Sequence, residues 1–258
     1  MTDAQAEMIS PSKSNSIKPV VELKNLRKSF GDQEVLKNIS LQLLNGENLV
    51  VLGKSGSGKS VLIKCIVGLL NADSGSINVL GENVNELNSK DLGELRKKVG
   101  FLFQSGALYD SMTVKQNLEF PLHRVRKELT QKEIEEKVKE ALENVGLSDA
   151  ISKMPSQLSG GMRKRISLAR TIVVDPLIML YDEPTTGLDP VTSDEISLLI
   201  NTIQKKYKTS SIIITHDIEC ARETANRVIM LKDGEVYMEG NLTEFEKSDD
   251  PSIRSFFK

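Results

Sequence analysis

Short apolar segments and amphipathic segments alternate along most of the chain. Three apolar runs, LVVL at 49–52, LIMLY at 177–181 and SIIIT at 211–215, have the length and composition of buried strands. Stretches with helical spacing of apolar residues lie between them, such as SVLIKCIVGLL at 60–70. Buried strands interleaved with helices are typical of a parallel sheet that is covered on both faces. The pattern therefore predicts an α/β fold.

Shorter β-rich runs joined by turn residues flank this pattern. Residues 20–43 hold two such runs on either side of Gly31 and Asp32, and residues 74–83 and 227–240 each read as a further hairpin, the last with its turn at Asp233-Gly234. We expect an antiparallel β subdomain from the runs near the start of the chain, and a closing hairpin after the last apolar strand.

The region from 104 to 168 is polar and helical in pattern. Thr130 and Glu133 form a capping box ahead of a one-sided apolar stripe that ends at Gly146, and a second Thr-x-x-Glu pattern predicts that a later helix begins at Thr192. The predicted organisation is a flexible N-terminal tail at 1–18, an α/β core with its antiparallel β subdomain at 19–103 and 169–235, a helical subdomain at 104–168, and a C-terminal tail at 236–258.

Composition limits the binding partners and the cellular compartment that we expect for the protein. The 34 basic and 36 acidic residues give a net charge of -2, which argues against a basic nucleic-acid-binding protein. Cys65 and Cys220 lie in apolar segments without a CxxC neighbour, so buried free thiols in a reducing, cytoplasmic setting are expected. The chain shows neither the apolar core of a signal peptide nor an apolar run of about 18 residues, so we do not expect it to cross a membrane by itself.

A P-loop pattern, GKSGSGKS, follows the first apolar strand and precedes a helix. In that context backbone N–H groups and the positive end of the helix can surround phosphates, the lysine can neutralise them, and the final hydroxyl can coordinate Mg²⁺. The loop residues expected to bind nucleotide are Gly53, Lys54, Ser55, Gly56, Ser57, Gly58, Lys59 and Ser60.

Candidate catalytic groups stand at the ends of other strands. Asp182 and Glu183 close LIMLYDE; we assign Asp182 to the Mg²⁺ shell and Glu183 to the base that polarises a water attacking the γ-phosphate. His216 ends the strand SIIITH, and ligands collect at the carboxyl ends of parallel strands. Phe30 could stack on a base or simply pack. Because no Asn/Thr-Lys-x-Asp motif for guanine is present, ATP is the expected nucleotide.

A second glycine-rich segment, QLSGGMRKR at 157–165, places bare backbone at the start of a helix. Ser159, Gly160 and Gly161 therefore form a second anion site about a hundred residues from the first. One nucleotide has no evident need for both sites. A second copy of the chain paired head to tail would bring this segment against the γ-phosphate held by its partner.

With these motifs in this order, the sequence resembles the ATPase subunits of ATP-binding-cassette (ABC) transporters over nearly its whole length. The resemblance implies a RecA-like P-loop core with a helical signature subdomain, two cassettes that sandwich two MgATP, and a membrane permease as partner. It matches Phe30 to the adenine-stacking aromatic, Gln104 to the glutamine that senses Mg²⁺ and the permease, and Asp189 to the loop that communicates between the two sites.

Met162 stands where the general family has glutamine, and LSGGMRKR together with FLFQSGALYDSMTV is similar to the Mla/Mce-associated branch. That resemblance implies phospholipid traffic between bacterial membranes with a permease and an MCE-domain protein, at the cytoplasmic face of the inner membrane. We take Arg163 and Lys164 of this segment as positions on a solvated helix face. Two alternatives stay open: an importer cassette for a polar solute, and a soluble ATP-gated clamp of DNA maintenance or translation. A non-catalytic regulator would be expected to lack Glu183 or His216.

Overall fold

A computed structural model describes residues 18–257, so the predicted N-terminal tail at 1–18 lies almost wholly outside the described residues. The strands are β1 (Val21–Phe30), β2 (Gln33–Leu43), β3 (Asn48–Leu52), β4 (Ser74–Val79), β5 (Glu82–Asn83), β6 (Val99–Leu102), β7 (Ile178–Asp182), β8 (Ser210–Thr215), β9 (Arg227–Lys232) and β10 (Glu235–Gly240). The helices are α1 (Lys59–Ile66), α2 (Ser89–Lys97), α3 (Val114–Val125), α4 (Gln131–Asn144), α5 (Gly160–Ile172), α6 (Pro190–Tyr207), α7 (Ile218–Thr224), α8 (Leu242–Glu246) and α9 (Pro251–Arg254).

The larger sheet contains the three apolar runs found in the sequence. Its strand order is β10-β9-β3-β8-β7-β6, with all pairs parallel except β10 with β9. Every residue of β3, β7 and β8 is buried, as expected for strands covered on both faces. In the register, Leu52 pairs with Thr215 and Asp182 with Ile214, so these three strands end at the same edge of the sheet. The candidate functional site lies at this edge of the sheet.

A second, antiparallel sheet has the order β2-β1-β4-β5 and confirms the predicted β subdomain. Its inward residues, among them Leu23, Leu26 and Ile39, join one core cluster with α1 and with one face of the larger sheet. The turn at Gly31 ends β1 directly after Phe30. The closing hairpin of β9 and β10 around Asp233-Gly234 is also confirmed.

The helical subdomain has an apolar cluster of its own. Helix α4 contributes Ile134, Val138 and Leu142, which pack with residues of α3 and α5 such as Leu118 and Ile166. The capping box at Thr130 is confirmed. Among residues 18–257, no helix combines the length and hydropathy that a bilayer crossing requires.

The predicted start of a helix at Thr192 is wrong. Helix α6 begins at Pro190, and Asp189 is its N-cap, with its Oδ1 accepting a hydrogen bond of 3.0 Å from the Thr192 N–H. Proline suits the first helical position because its missing N–H would have no partner there. Pro190 therefore moves the start of the helix toward the N-terminus, and Thr192 lies inside the first turn.

The prediction of a C-terminal tail from residue 236 is also corrected, as far as residue 257. Residues 236–240 belong to β10, and α8 and α9 follow. Phe245 and Ile253 are buried in the cluster on the other face of the larger sheet, and the Tyr237 hydroxyl donates a 2.6 Å hydrogen bond to Asp250. Burial of these apolar residues holds the segment against the core.

Candidate nucleotide-binding site

The P-loop runs from the end of β3 to the start of α1. Gly56 and Gly58 have φ angles of +82° and +98°, which side chains other than glycine rarely adopt. A Cβ at Gly58 would lie 2.9 Å from the Val35 carbonyl oxygen, so the loop and β2 approach each other too closely for any larger residue. The glycines thus shape a loop of exposed backbone N–H groups in front of a helix N-terminus, which suits phosphate.

Lys59 is buried at the base of this loop, with only 6% of its surface exposed. Its ammonium donates hydrogen bonds to the carbonyls of Gly53 at 2.6 Å and Lys54 at 3.2 Å, and lies 3.4 Å from Oε1 of Glu183. The charge is therefore held beside the loop by backbone oxygens and one carboxylate. A bound phosphate would provide a further partner.

Ser60 faces Asp182 across the same edge of the sheet. The Ser60 hydroxyl donates a 3.0 Å hydrogen bond to Oδ1 of Asp182. Burial raises the pKa of the Asp182 carboxyl, and the hydrogen bond from Ser60 partly opposes that shift. A hydroxyl and a carboxylate fit Mg²⁺, which binds oxygen ligands and completes its shell with phosphate and water. Between residues 18 and 257 there is no cluster of three or more His, Cys, Asp or Glu side chains suited to a metal ion, so phosphate oxygens would be needed here.

Glu183 has a different set of partners, as the sequence analysis expects. Its Oε2 lies 2.8 Å from Nδ1 of His216 and accepts a 3.1 Å hydrogen bond from the Thr186 hydroxyl, while its Oε1 faces Lys59. The residue has a φ of +50°, an unfavourable conformation for a non-glycine residue, directly after β7 ends. The bend separates the side chain of Glu183 from that of Asp182.

One cavity of about 710 Å³ joins most of these groups, and Gly53, Ser57 and Asp182 are not part of its lining. Its lining includes ten of the predicted site residues: Phe30, Lys54, Ser55, Gly56, Gly58, Lys59, Ser60, Gln104, Glu183 and His216. Phe30 is 48% exposed and forms part of the wall, with the Lys28 ammonium 5.4 Å from its ring centre. Four further lining residues were not predicted, namely Val35, Val61, Ser255 and Phe256. Ser255 and Phe256 lie in the predicted C-terminal tail at 236–258, whose local pattern gives no sign of a site.

The second glycine-rich segment at 157–165, here called the signature segment, is not part of this lining. Ser159 is the N-cap of α5 and accepts a 3.2 Å hydrogen bond from the Met162 N–H. A Cβ at Gly161 would lie 2.6 Å from Cγ2 of Thr192, so the start of α5 packs closely against the first turn of α6, beside its cap Asp189. Ser159, Gly160, Gly161 and Asp189 are therefore grouped together, while the P-loop cavity of the same chain excludes them.

Lys164 was not recognised as a site residue. It is 5% exposed, so its expected place on a solvated helix face is wrong. Its ammonium donates to the carbonyl oxygens of Gln104 at 2.8 Å and Glu183 at 3.3 Å. A signal was present in the sequence, because Lys164 precedes Leu168 and Ile172 at intervals of four residues and so shares their buried helix face.

A P-loop beside an acidic pair, at the carboxyl edge of a parallel sheet, defines a P-loop nucleoside triphosphatase. The family model described as "ABC transporter" matches residues 36–186. The chain belongs to this family as an ATP-binding cassette, an ATPase that uses ATP with Mg²⁺.

Curated relatives and solved structures agree with that assignment. A methionine import ATP-binding protein of Clostridium tetani is 38% identical over 225 residues, which cover 87% of this chain and 70% of that protein. A Mycobacterium leprae protein named for ribonucleotide transport is 42% identical over 238 residues, which cover 92% of this chain and 68% of that protein. The dimeric cassette MJ0796, in a post-hydrolysis state with ADP and phosphate, has a TM-score of 0.79 at 34% identity over 86% of this chain and 98% of its own. These names refer to methionine import, to ribonucleotide transport and to a cassette dimer, so a lipid cargo stays a prediction.

Proposed function

We propose that two copies of this chain close on two molecules of MgATP, and that hydrolysis of this ATP drives a membrane permease. The observation that carries the proposal is the separation within one chain of two phosphate-binding elements. Lys59 and Ser60 line the cavity. Ser159 caps helix α5 and is not part of the cavity lining. A second chain can bring its own Ser159 to the first chain's cavity. The dimeric form of MJ0796 supports this arrangement.

Within one cavity different residues bind the phosphates, the adenine and the Mg²⁺. The loop amides from Gly53 to Ser60 and the Lys59 ammonium hold the phosphates, and Phe30 stacks on the adenine. Ser60, Asp182 and Gln104 would hold Mg²⁺, which when bound neutralises phosphate charge. The chemistry needs positioning and electrostatic stabilisation more than covalent steps, since a unit-charge pair at ~4 Å is worth about 4 kcal/mol at an effective dielectric of 20.

Glu183 and His216 act on the attacking water. Glu183 accepts the proton of the water, and His216 holds the carboxylate in place from the strand next to it in the sheet, at 2.8 Å. Glu183 is 9% exposed, so its carboxylate has little contact with bulk solvent. The partner chain contributes Ser159, Gly160 and Gly161 to the γ-phosphate, with Asp189 beside them to carry the state of one site to the other.

For the cargo we propose phospholipid moved between bacterial membranes, with an MCE-domain protein as a further partner and the cassette at the cytoplasmic face of the inner membrane. Support comes from Met162, Arg163 and Lys164 in the signature and from the segment at 101–114, which are similar to the Mla/Mce-associated branch. An importer of a polar solute is the second candidate, because the relatives carry names of methionine and ribonucleotide transport. The clamp hypothesis has less support, since the insert from 104 to 168 contains no helix longer than the 14 residues of α4.

Purification from the native host tests these proposals. The chain is tagged, membranes are solubilised in mild detergent, and co-purifying proteins and lipids are identified by mass spectrometry. A multispanning permease with an MCE-domain protein and phospholipid is the expected result. A solute permease with a soluble binding protein would keep the ATPase and reject the lipid, and recovery only from the soluble fraction would favour the clamp.

A further inference from the structure

The Lys164 ammonium joins two loops that follow different strands. One partner is the carbonyl oxygen of Gln104, two residues after β6 ends, and the other is the carbonyl oxygen of Glu183, the residue directly after β7. Both bonds start from the second turn of α5, whose N-cap is Ser159. The Lys164 side chain therefore donates hydrogen bonds to the backbone of the predicted Mg²⁺-sensing glutamine and to the backbone of the proposed base. Among the described residues it has no other hydrogen-bond partner.

Burying this lysine is unfavourable, so its position requires an explanation. Lys164 is 5% exposed, so its ammonium is removed from most of the solvent, which is unfavourable for a charged group. An apolar side chain of similar length would avoid the desolvation cost. The charged donor supplies hydrogen bonds to the two carbonyls, which an apolar side chain cannot supply.

Both loops have backbone that needs support. Glu183 has a φ of +50°, and the loop after Gln104 continues through Gly106 and Ala107 at +80° and +52°. Such conformations persist where the surroundings fix them. The ammonium contacts both loops from one side, because its N–H groups donate to carbonyls that follow the neighbouring parallel strands β6 and β7.

We infer that Lys164 is a positioning residue for hydrolysis, which couples the signature helix α5 to Glu183 and to the loop of Gln104 in the same chain. When α5 shifts as its N-terminus meets a partner's nucleotide, the ammonium carries both carbonyls with it. Lys164 lies five residues after Ser159, or about 7.5 Å along the helix axis, so the link is short. The inference rests on the proposed role of Glu183 as base.

The test compares steady-state ATPase kinetics of the full chain and of Lys164→Met, which keeps the length and packing of the side chain and removes the donor. We expect kcat to fall at least tenfold while the KM for ATP stays within about threefold, because the nucleotide contacts of the P-loop are untouched. A merely structural role would lower the melting temperature and leave kcat per folded molecule unchanged. Lys139→Met, on the exposed face of α4, is the matched control and should match the unaltered protein.

Each other outcome has a defined meaning. A kcat within twofold of the unaltered protein, or a loss expressed through KM alone, would overturn the inference. If Lys164→Met does not fold, Lys164→Leu, which also removes the donor, is judged by the same two criteria. Glu183→Gln is measured in parallel: an active Glu183→Gln would contradict the proposed base itself, whereas an inactive Glu183→Gln beside a normal Lys164→Met would reject only the coupling.

Discussion

Oε2 of Glu183 lies 2.8 Å from Nδ1 of His216, and the two residues directly follow the neighbouring strands β7 and β8, whose ends are aligned by the parallel register. The other carboxylate oxygen of Glu183 lies 3.4 Å from the Lys59 ammonium. The proposed base is thus paired with the lysine that would bind phosphate.

Glu183→Gln should abolish turnover and keep ATP binding. The amide has nearly the same shape but cannot accept the proton of the attacking water, and general-base groups contribute about 10²–10⁴-fold to rate. An ATP-bound dimer should accumulate, detectable by light scattering after size-exclusion chromatography. Near-normal turnover would remove Glu183 from the role of base.

Lys59→Ala should weaken ATP binding itself, measured by titration calorimetry. A hydrogen bond to a charged group contributes about 1.5–3 kcal/mol, so the dissociation constant should rise roughly tenfold to a hundredfold. Lys132→Ala serves as the control, since that side chain is 87% exposed on α4. Unchanged affinity in Lys59→Ala would contradict the assignment of the P-loop.

Met162→Gln should leave ATPase activity within a few-fold. The side chain is partly buried against the apolar cluster of the helical subdomain, and only its backbone N–H bonds to Ser159. The substitution keeps that backbone bond and changes packing alone. Complete loss of activity, with the protein still folded, would show that position 162 is catalytic in this chain.

Cys65 and Cys220 should not react with an aromatic disulfide reagent in the native protein at about pH 8. They are 0% and 1% exposed, and burial raises the pKa of each thiol to about 11, so at that pH both stay protonated. Unfolding in guanidinium restores exposure and an ordinary pKa, and two thiols per chain should then react. Rapid reaction of either thiol before unfolding would contradict its place in the core.

The sequence alone is sufficient to predict the structure where a local pattern determines it. The apolar strands, the P-loop glycines and the capping box at Thr130 each depend on residues a few positions apart, and the structure has them as expected. Lys164 shows the limit, because its spacing indicates a buried helix face but its partner carbonyls are 60 and 19 residues away in the chain. The start of α6 was misplaced because two capping signals compete, and Pro190 favours the earlier one at Asp189.

Mixing two inactive variants tests whether each ATP site is shared between chains. If Lys59 of one chain works with Ser159 of the other, a dimer of a Lys59→Ala chain with a Ser159→Ala chain contains one site with both residues intact. We expect each variant alone to be almost inactive and their mixture to hydrolyse ATP. A mixture as inactive as its components, although cross-linking shows mixed dimers, would contradict the shared site and the closure of two chains on ATP.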